Sequence, residues 1–163
     1  MTPCLKTQLL YETDYYLWLK ETVAHLKAGD FDNLDVENLI EEIESLGRSE
    51  KRALFSYLLR LCEHLLKLKY WETERQYCYR GWLLEISHFR LEIALILQDS
   101  PSLQPFAKAA FLDSYQKARK NMLKAIGLSP DVIPEVPDFT MEEALDEEWL
   151  PWQSDANSEG SVS

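Results

Sequence analysis

The segment Glu85-Ile-Ser-His88 sets a carboxylate and an imidazole three residues apart, a spacing that puts both on one face of a helix. Helical bundles that hold two metal ions use such a Glu-x-x-His unit twice, with one further Glu from each of two other helices. This chain supplies the unit once, extended by Glu92; Glu63 and His64 are adjacent and do not face one centre in the same way. A second group of acids lies in and just before LIEEIESLGRSEKR (39–52). At about 100° per residue, Glu37, Glu41 and Glu44 fall on one stripe, Glu42 points elsewhere, and Leu39, Ile43 and Leu46 form an apolar face with Ile40 at its margin. One reading is a mononuclear metal site built from Glu85, His88 and one of Glu37, Glu41 or Glu44. The other is a solvated face, whose like charges repel until a base such as Arg48, four residues after Glu44, relieves them. His25 with Glu21 reads as a surface pair.

Arg60 and His64 are the candidates for metal-free chemistry. An arginine that steadies phosphate and a histidine that moves protons serve bundle ribonucleases at a slightly longer spacing. The competing reading of His64 is a boundary residue hydrogen-bonded to a nearby carboxylate. A third feature is the run Tyr70, Trp71, Arg75, Tyr77, Tyr79, Arg80 and Trp82. Aromatics interleaved with arginine stack nucleic-acid bases, anchor protein interfaces, or close the end of a bundle as core. Glu72 and Glu74 interrupt the positive charge and favour a protein partner. There is no glycine-rich phosphate loop and no nucleophile motif.

These residues need helices to position them. Asp14 caps a helix that Gly29 ends, with Tyr15, Trp18, Leu19, Thr22, Val23 and Leu26 as its stripe. From Val36 to about Tyr70 the apolar residues keep phase through Gly47, which predicts one long helix, bent or weakened there; two helices with Ser49 as a cap is the alternative. A polar, aromatic connection is expected over 70–82. A further helix runs from Trp82 through Ile86, Phe89, Ile93 and Ile96. Asp99-Ser-Pro101 stops it, and a fourth helix closes at Gly127. Three prolines then mark an extended linker. Thr140-Met-Glu-Glu143 is a capping box opening a short acidic helix to about Trp149. Leu145, Trp149, Leu150 and Trp152 favour docking of this segment. The expectation is all-α: a bundle of four main amphipathic helices plus a short C-terminal acidic helix, one domain over 1–151 and a disordered tail over 152–163.

With 163 residues, 46% hydrophobic and 28% charged, the chain can bury a real core. Its net charge of -11 is unevenly placed: residues 12–50 hold eleven acids against three bases, and 51–134 hold eight against thirteen. An acidic chain argues against broad nucleic-acid binding. Three scattered cysteines suggest reduced thiols. With no apolar run of spanning length and no leader-like start, a cytoplasmic location and no membrane association are expected.

YETDYYLW (11–18), LDVENLIEEIESLGRSE (34–50), HLLK (64–67), the Trp82–Glu85–Ile86–Arg90 spacing, DSPSL (99–103) and ALDEEWLP (144–151) line up together. Over roughly residues 10–151 the chain resembles domain-of-unknown-function family 29, all-α proteins abundant in cyanobacteria. The resemblance implies a helical fold and a bacterial cytoplasmic setting, and it carries no activity, cofactor or catalytic residue. His88 departs from the polar residue, more usually glutamine, that the family places there, so a metal site needing His88 would not be family-wide. The function expected is a non-enzymatic protein-interaction or regulatory module with an unknown protein partner and no cofactor. The alternatives are a metal-binding or hydrolytic bundle and a metal-independent ribonuclease-like bundle.

Overall fold

The computed structural model describes residues 9–153. Its helices in chain order are α1 (Tyr15–Ala28), α2 (Val36–Tyr70), α3 (Glu72–Asp99), α4 (Gln104–Ile126) and α5 (Met141–Leu145), with single 3-10 turns at Phe31–Asn33 and Pro101–Leu103. There is no strand among the described residues, so the fold is all-α, as expected. Of the expected tail, residues 154–163 lie outside the described residues.

The helix ends follow local chemistry. The Asp14 carboxylate accepts the Leu17 N–H at 3.0 Å, and Gly29 ends α1 in the left-handed region at φ 68°. Gly127 does the same for α4 at φ 69°. Thr140 and Glu143 form the reciprocal capping box of α5, which stops at Leu145, short of Trp149. Helix α2 runs unbroken for 35 residues through Gly47, where an added Cβ would meet nothing within 4 Å.

The stretch 70–82 is not a connection. Only Trp71 separates α2 from α3, which begins at Glu72. The stripe of Trp82 and Ile86 extends upstream in helical phase through Cys78, Tyr79, Arg75 and Trp71, and Glu, Gln and Arg fill its outer side without opposing a helix.

The packing groups into two compact units, Met1–Ser49 and Glu50–Ser163, and α2 has residues in both. In the second unit the stripe of α2, from Leu54 to Leu68, is sealed by Trp82, Ile86, Phe89 and Ile93 of α3 and by Phe111, Tyr115, Ala118 and Met122 of α4. The segment after α4 is strapped onto this bundle. Arg119 donates to the carbonyls of Ile133 and Pro130, each at 2.7 Å, and Tyr115 Oη donates to the Pro134 carbonyl at 2.8 Å. Lys69 pairs with Asp138. Buried Arg90 donates to the carbonyls of Ala144 (2.9 Å), Glu147 (3.3 Å) and Trp149 (2.7 Å), fixing the acidic segment. Burial pushes the Arg90 guanidinium below its ordinary value, and Asp146 and Glu147 oppose that shift.

The first unit is a helical hairpin. Tyr11, in a helical turn over residues 9–13, and Tyr15 donate to the Glu42 carboxylate at 2.6 and 2.7 Å. Trp18 Nε1 donates to Asp35 at 3.2 Å, and Asn38 donates to the same carboxylate oxygen at 2.7 Å. Early residues of α1 meet later residues of α2, so the two helices run antiparallel.

Candidate functional site

The carboxylate stripe of α2 is tied to a base. Arg48 lies 2.6 Å from Glu41 and 3.8 Å from Glu44; the closer partner is Glu41, one turn beyond the expected Glu44. Glu37 and Glu85 are exposed. His88 Nδ1 lies 4.0 Å from Glu92, and its ring packs beside Phe89 and Tyr57. Among the described residues, no group of three or more His, Cys, Asp or Glu side chains is placed to hold a metal ion.

Arg60 and His64 do not converge on a common point. Arg60 donates to Glu63 at 2.8 Å, and buried Glu63 also accepts from Asn121 at 2.7 Å. His64 Nδ1 donates to the Arg60 carbonyl at 2.9 Å, and its ring meets the Phe89 ring edge-on at 5.3 Å. The expected carboxylate partner is absent because Glu63 is turned toward Arg60 and Asn121. Burial pushes His64 below its ordinary value, so it is neutral at pH 7. His25 likewise pairs with Asp30 at 3.0 Å, not with Glu21. Cys62 is buried, and burial pushes its thiol up to about 12, far from a nucleophile's range.

The aromatic-basic run is divided between tasks. Trp71 and Trp82 stack at 6.1 Å and close the bundle end, with Tyr70 packed against the core. Arg75 donates to the Lys69 carbonyl at 2.9 Å and lies 4.1 Å over the Trp152 ring. Tyr79 meets that ring edge-on at 5.6 Å. Thus Trp152, placed at the head of the expected tail, is held by the bundle. Tyr77, 78% exposed, and exposed Arg80 carry little of this internal packing. A cleft of about 340 Å³ lies between Glu72, Arg75, Gln76, Tyr79 and Trp152.

A second exposed apolar surface lies on the hairpin. Of the expected α1 stripe only Trp18 and Thr22 are buried, and Tyr15, Leu19, Val23 and Leu26 are exposed. The cause is the facing side of α2, which is polar: Asp35, Asn38 and Glu42 attract the tyrosine hydroxyls and the indole N–H of α1, and the aliphatic positions turn away. The hydrogen bond to Glu42 pushes the Tyr11 hydroxyl up to about 12, and the Tyr11 and Tyr15 hydroxyls hold Glu42 below its usual range. On α2, Val36 and Ile40 are half exposed, and Ile43 and Leu46 are 60% and 70% exposed. Both apolar stripes lie about a quarter-turn round from the α1–α2 contact, in the same rotational sense. In antiparallel helices that offset brings both stripes to one face of the hairpin.

The described chain is thus an all-α protein with a packed bundle, an amphipathic helical hairpin and no helix long and apolar enough to cross a membrane among the described residues. It belongs to the family described as Domain of unknown function DUF29, whose model matches residues 10–150. Among curated proteins and solved structures, none matches.

Proposed function

We propose that this protein is a non-enzymatic protein-interaction module that docks its partner through the apolar face of the α1–α2 hairpin. The observation that carries this reading is the exposure of both stripes at once. Eight large apolar side chains, four on each helix and each 37–70% exposed, are grouped here where an ordinary monomer exposes such residues singly. The pairing of Arg60 with Glu63 and of Glu41 with Arg48 supports the same reading, since it engages two of the candidate catalytic and metal residues within the fold. A cytoplasmic bacterial setting fits the scattered cysteines, of which Cys62 and Cys78 are free thiols.

A photo-crosslinking amino acid at Ile43 tests this in native cytosol, with the exposed α4 position Lys108 as control. The expected result is a discrete crosslink to another polypeptide chain from position 43 and none from position 108. No crosslink from 43, or equal labelling from both, would sink the proposal.

A second reading keeps the partner at the α2–α3 corner. The exposed ring of Tyr77 and the neighbouring cleft favour it. Tyr77→Ala would then remove partner binding and leave position 43 unlabelled.

A further inference from the structure

We infer that the outer face of α3 pairs with the same face of a second copy of this chain, the two helices running parallel. This goes beyond the hairpin reading and does not use the hairpin face.

Three observations converge. The first is phase. Trp82, Ile86, Phe89 and Ile93 put one apolar row of α3 into the core. At about 100° per residue, Tyr77, Leu84, Leu91 and Leu95 fall on the opposite side of the same helix. Tyr77 and Leu84 are 78% and 73% exposed, and Leu91 and Leu95 are exposed too. A helix that is apolar on opposite sides asks for cover on both. The second is spacing. Positions 77, 81, 84, 88, 91 and 95 alternate steps of four and three, the d and a positions of successive heptads. Gly81 lies in this seam, and a Cβ there would meet nothing within 4 Å. Its bare backbone leaves the room that the large ring of Tyr77 on a facing copy needs.

The third is charge, and it selects the occupant. On this seam Glu85, Glu92 and Asp99 take e positions, and Arg80, Ser87 and Ala94 take g positions. Arg80 and Glu85 are exposed, and neither has an ion-pair partner among the described residues. In a parallel pair of helices, a g position meets the e position of the next heptad on the other helix. Arg80 of each copy then meets Glu85 of the other, twice by symmetry, and the Ser87 hydroxyl faces Glu92. An antiparallel pair would set e against e, bringing the Glu85, Glu92 and Asp99 edge against its own kind. The face is thus self-complementary in the parallel orientation, about a two-fold axis along the helices, the requirement for an isologous contact.

Sedimentation velocity of the purified full chain, from low to high micromolar concentration, tests the inference. The expected result is a dimer. Leu84→Glu with Leu91→Glu should weaken it about 100-fold or more, the loss of central apolar anchors, while far-ultraviolet circular dichroism stays helical because both side chains lie opposite the core. Arg80→Glu should weaken it about tenfold, and adding Glu85→Arg should restore it, because the charges are then swapped but still opposed. Ile43→Glu with Leu46→Glu should leave it unchanged. A wild-type chain that stays monomeric at high concentration overturns the inference. So does a dimer indifferent to the Leu84 and Leu91 changes, one that the charge swap fails to rescue, or one that the Ile43 and Leu46 changes dissociate. The crosslink from position 43 to a different protein reads the hairpin alone, so either reading can fail without the other.

Discussion

Leu46 and Leu65 lie on one stripe of one helix, nineteen residues apart, and one is 70% exposed while the other is fully buried. Around Leu65, α3 and α4 offer apolar rings and branched side chains, and the stripe becomes core. Around Leu46, the neighbouring helix α1 is held by tyrosine hydroxyls and an indole N–H on carboxylates, and the stripe is left to solvent. The difference lies in the neighbours and not in the helix. An apolar stripe records a demand for burial, and the other elements decide where that demand is met inside the chain.

Substitutions at the two ends of the stripe put this contrast to its strongest test. Leu65→Ala should destabilise the bundle by about 2–5 kcal/mol, read as a lowered urea midpoint. Ile43→Ala at the lowest workable concentration should change that midpoint by less than about 0.5 kcal/mol. Equal effects would mean that both halves of α2 are core.

Next in size is Arg90→Met, which keeps the apolar stem and removes three charge-assisted donors. It should cost about 1.5–3 kcal/mol and release residues 141–150, seen as faster amide exchange there while α1 is unchanged. Unchanged exchange would show that the apolar contacts of Met141 and Ala144 hold the segment unaided.

Gly47→Ala should raise stability by about 0.5–1 kcal/mol, because the position is helical and open to a methyl group. A loss in place of that gain would mean that α2 must bend at Gly47.

The smallest effect is a pH trend confined to the bundle. His64 in the folded chain lies below its ordinary value of 6.5, so near and below that pH the unfolded chain takes up more protons. Stability should therefore fall as the pH drops from about 6.5, and level off below the folded-state value. The melting temperature of His64→Gln should fall less steeply over this range than that of the wild type; an identical slope in both would assign the trend to other groups.

Much of the scaffold was legible because it is written locally. Asp14, Gly29, Gly127 and the Thr140–Glu143 box mark their helix ends within a few residues, and the unbroken phase through Gly47 marks α2 as one helix. The misread parts depend on distant neighbours. Glu42 lies off the acidic stripe in sequence, yet it is the acceptor for two tyrosines 27 and 31 residues earlier. The aromatic run around Tyr77 looked like the interaction surface, but Trp71, Arg75, Tyr79 and Trp82 are engaged within the bundle end. Arg90 stood out only as a spacing, since its acceptors are carbonyls 54 to 59 residues onward and a carbonyl has no signature in a sequence. The hairpin face was visible as two stripes; that they share one side follows only from the antiparallel contact.

The carbonyl clamp of Arg90 also sets what kinds of change the C-terminal segment tolerates. A guanidinium that reads only backbone oxygens is indifferent to which side chains stand at 144, 147 and 149 as far as its own bonds go. Glu147, exposed, can be exchanged for most residues without disturbing the grip. Removing one residue between Ala144 and Trp149 is another matter, because it slides the oxygens past the fixed fork and no side-chain choice restores them. At exposed positions such as Glu147 the segment is therefore permissive to spelling, and throughout it is strict about length.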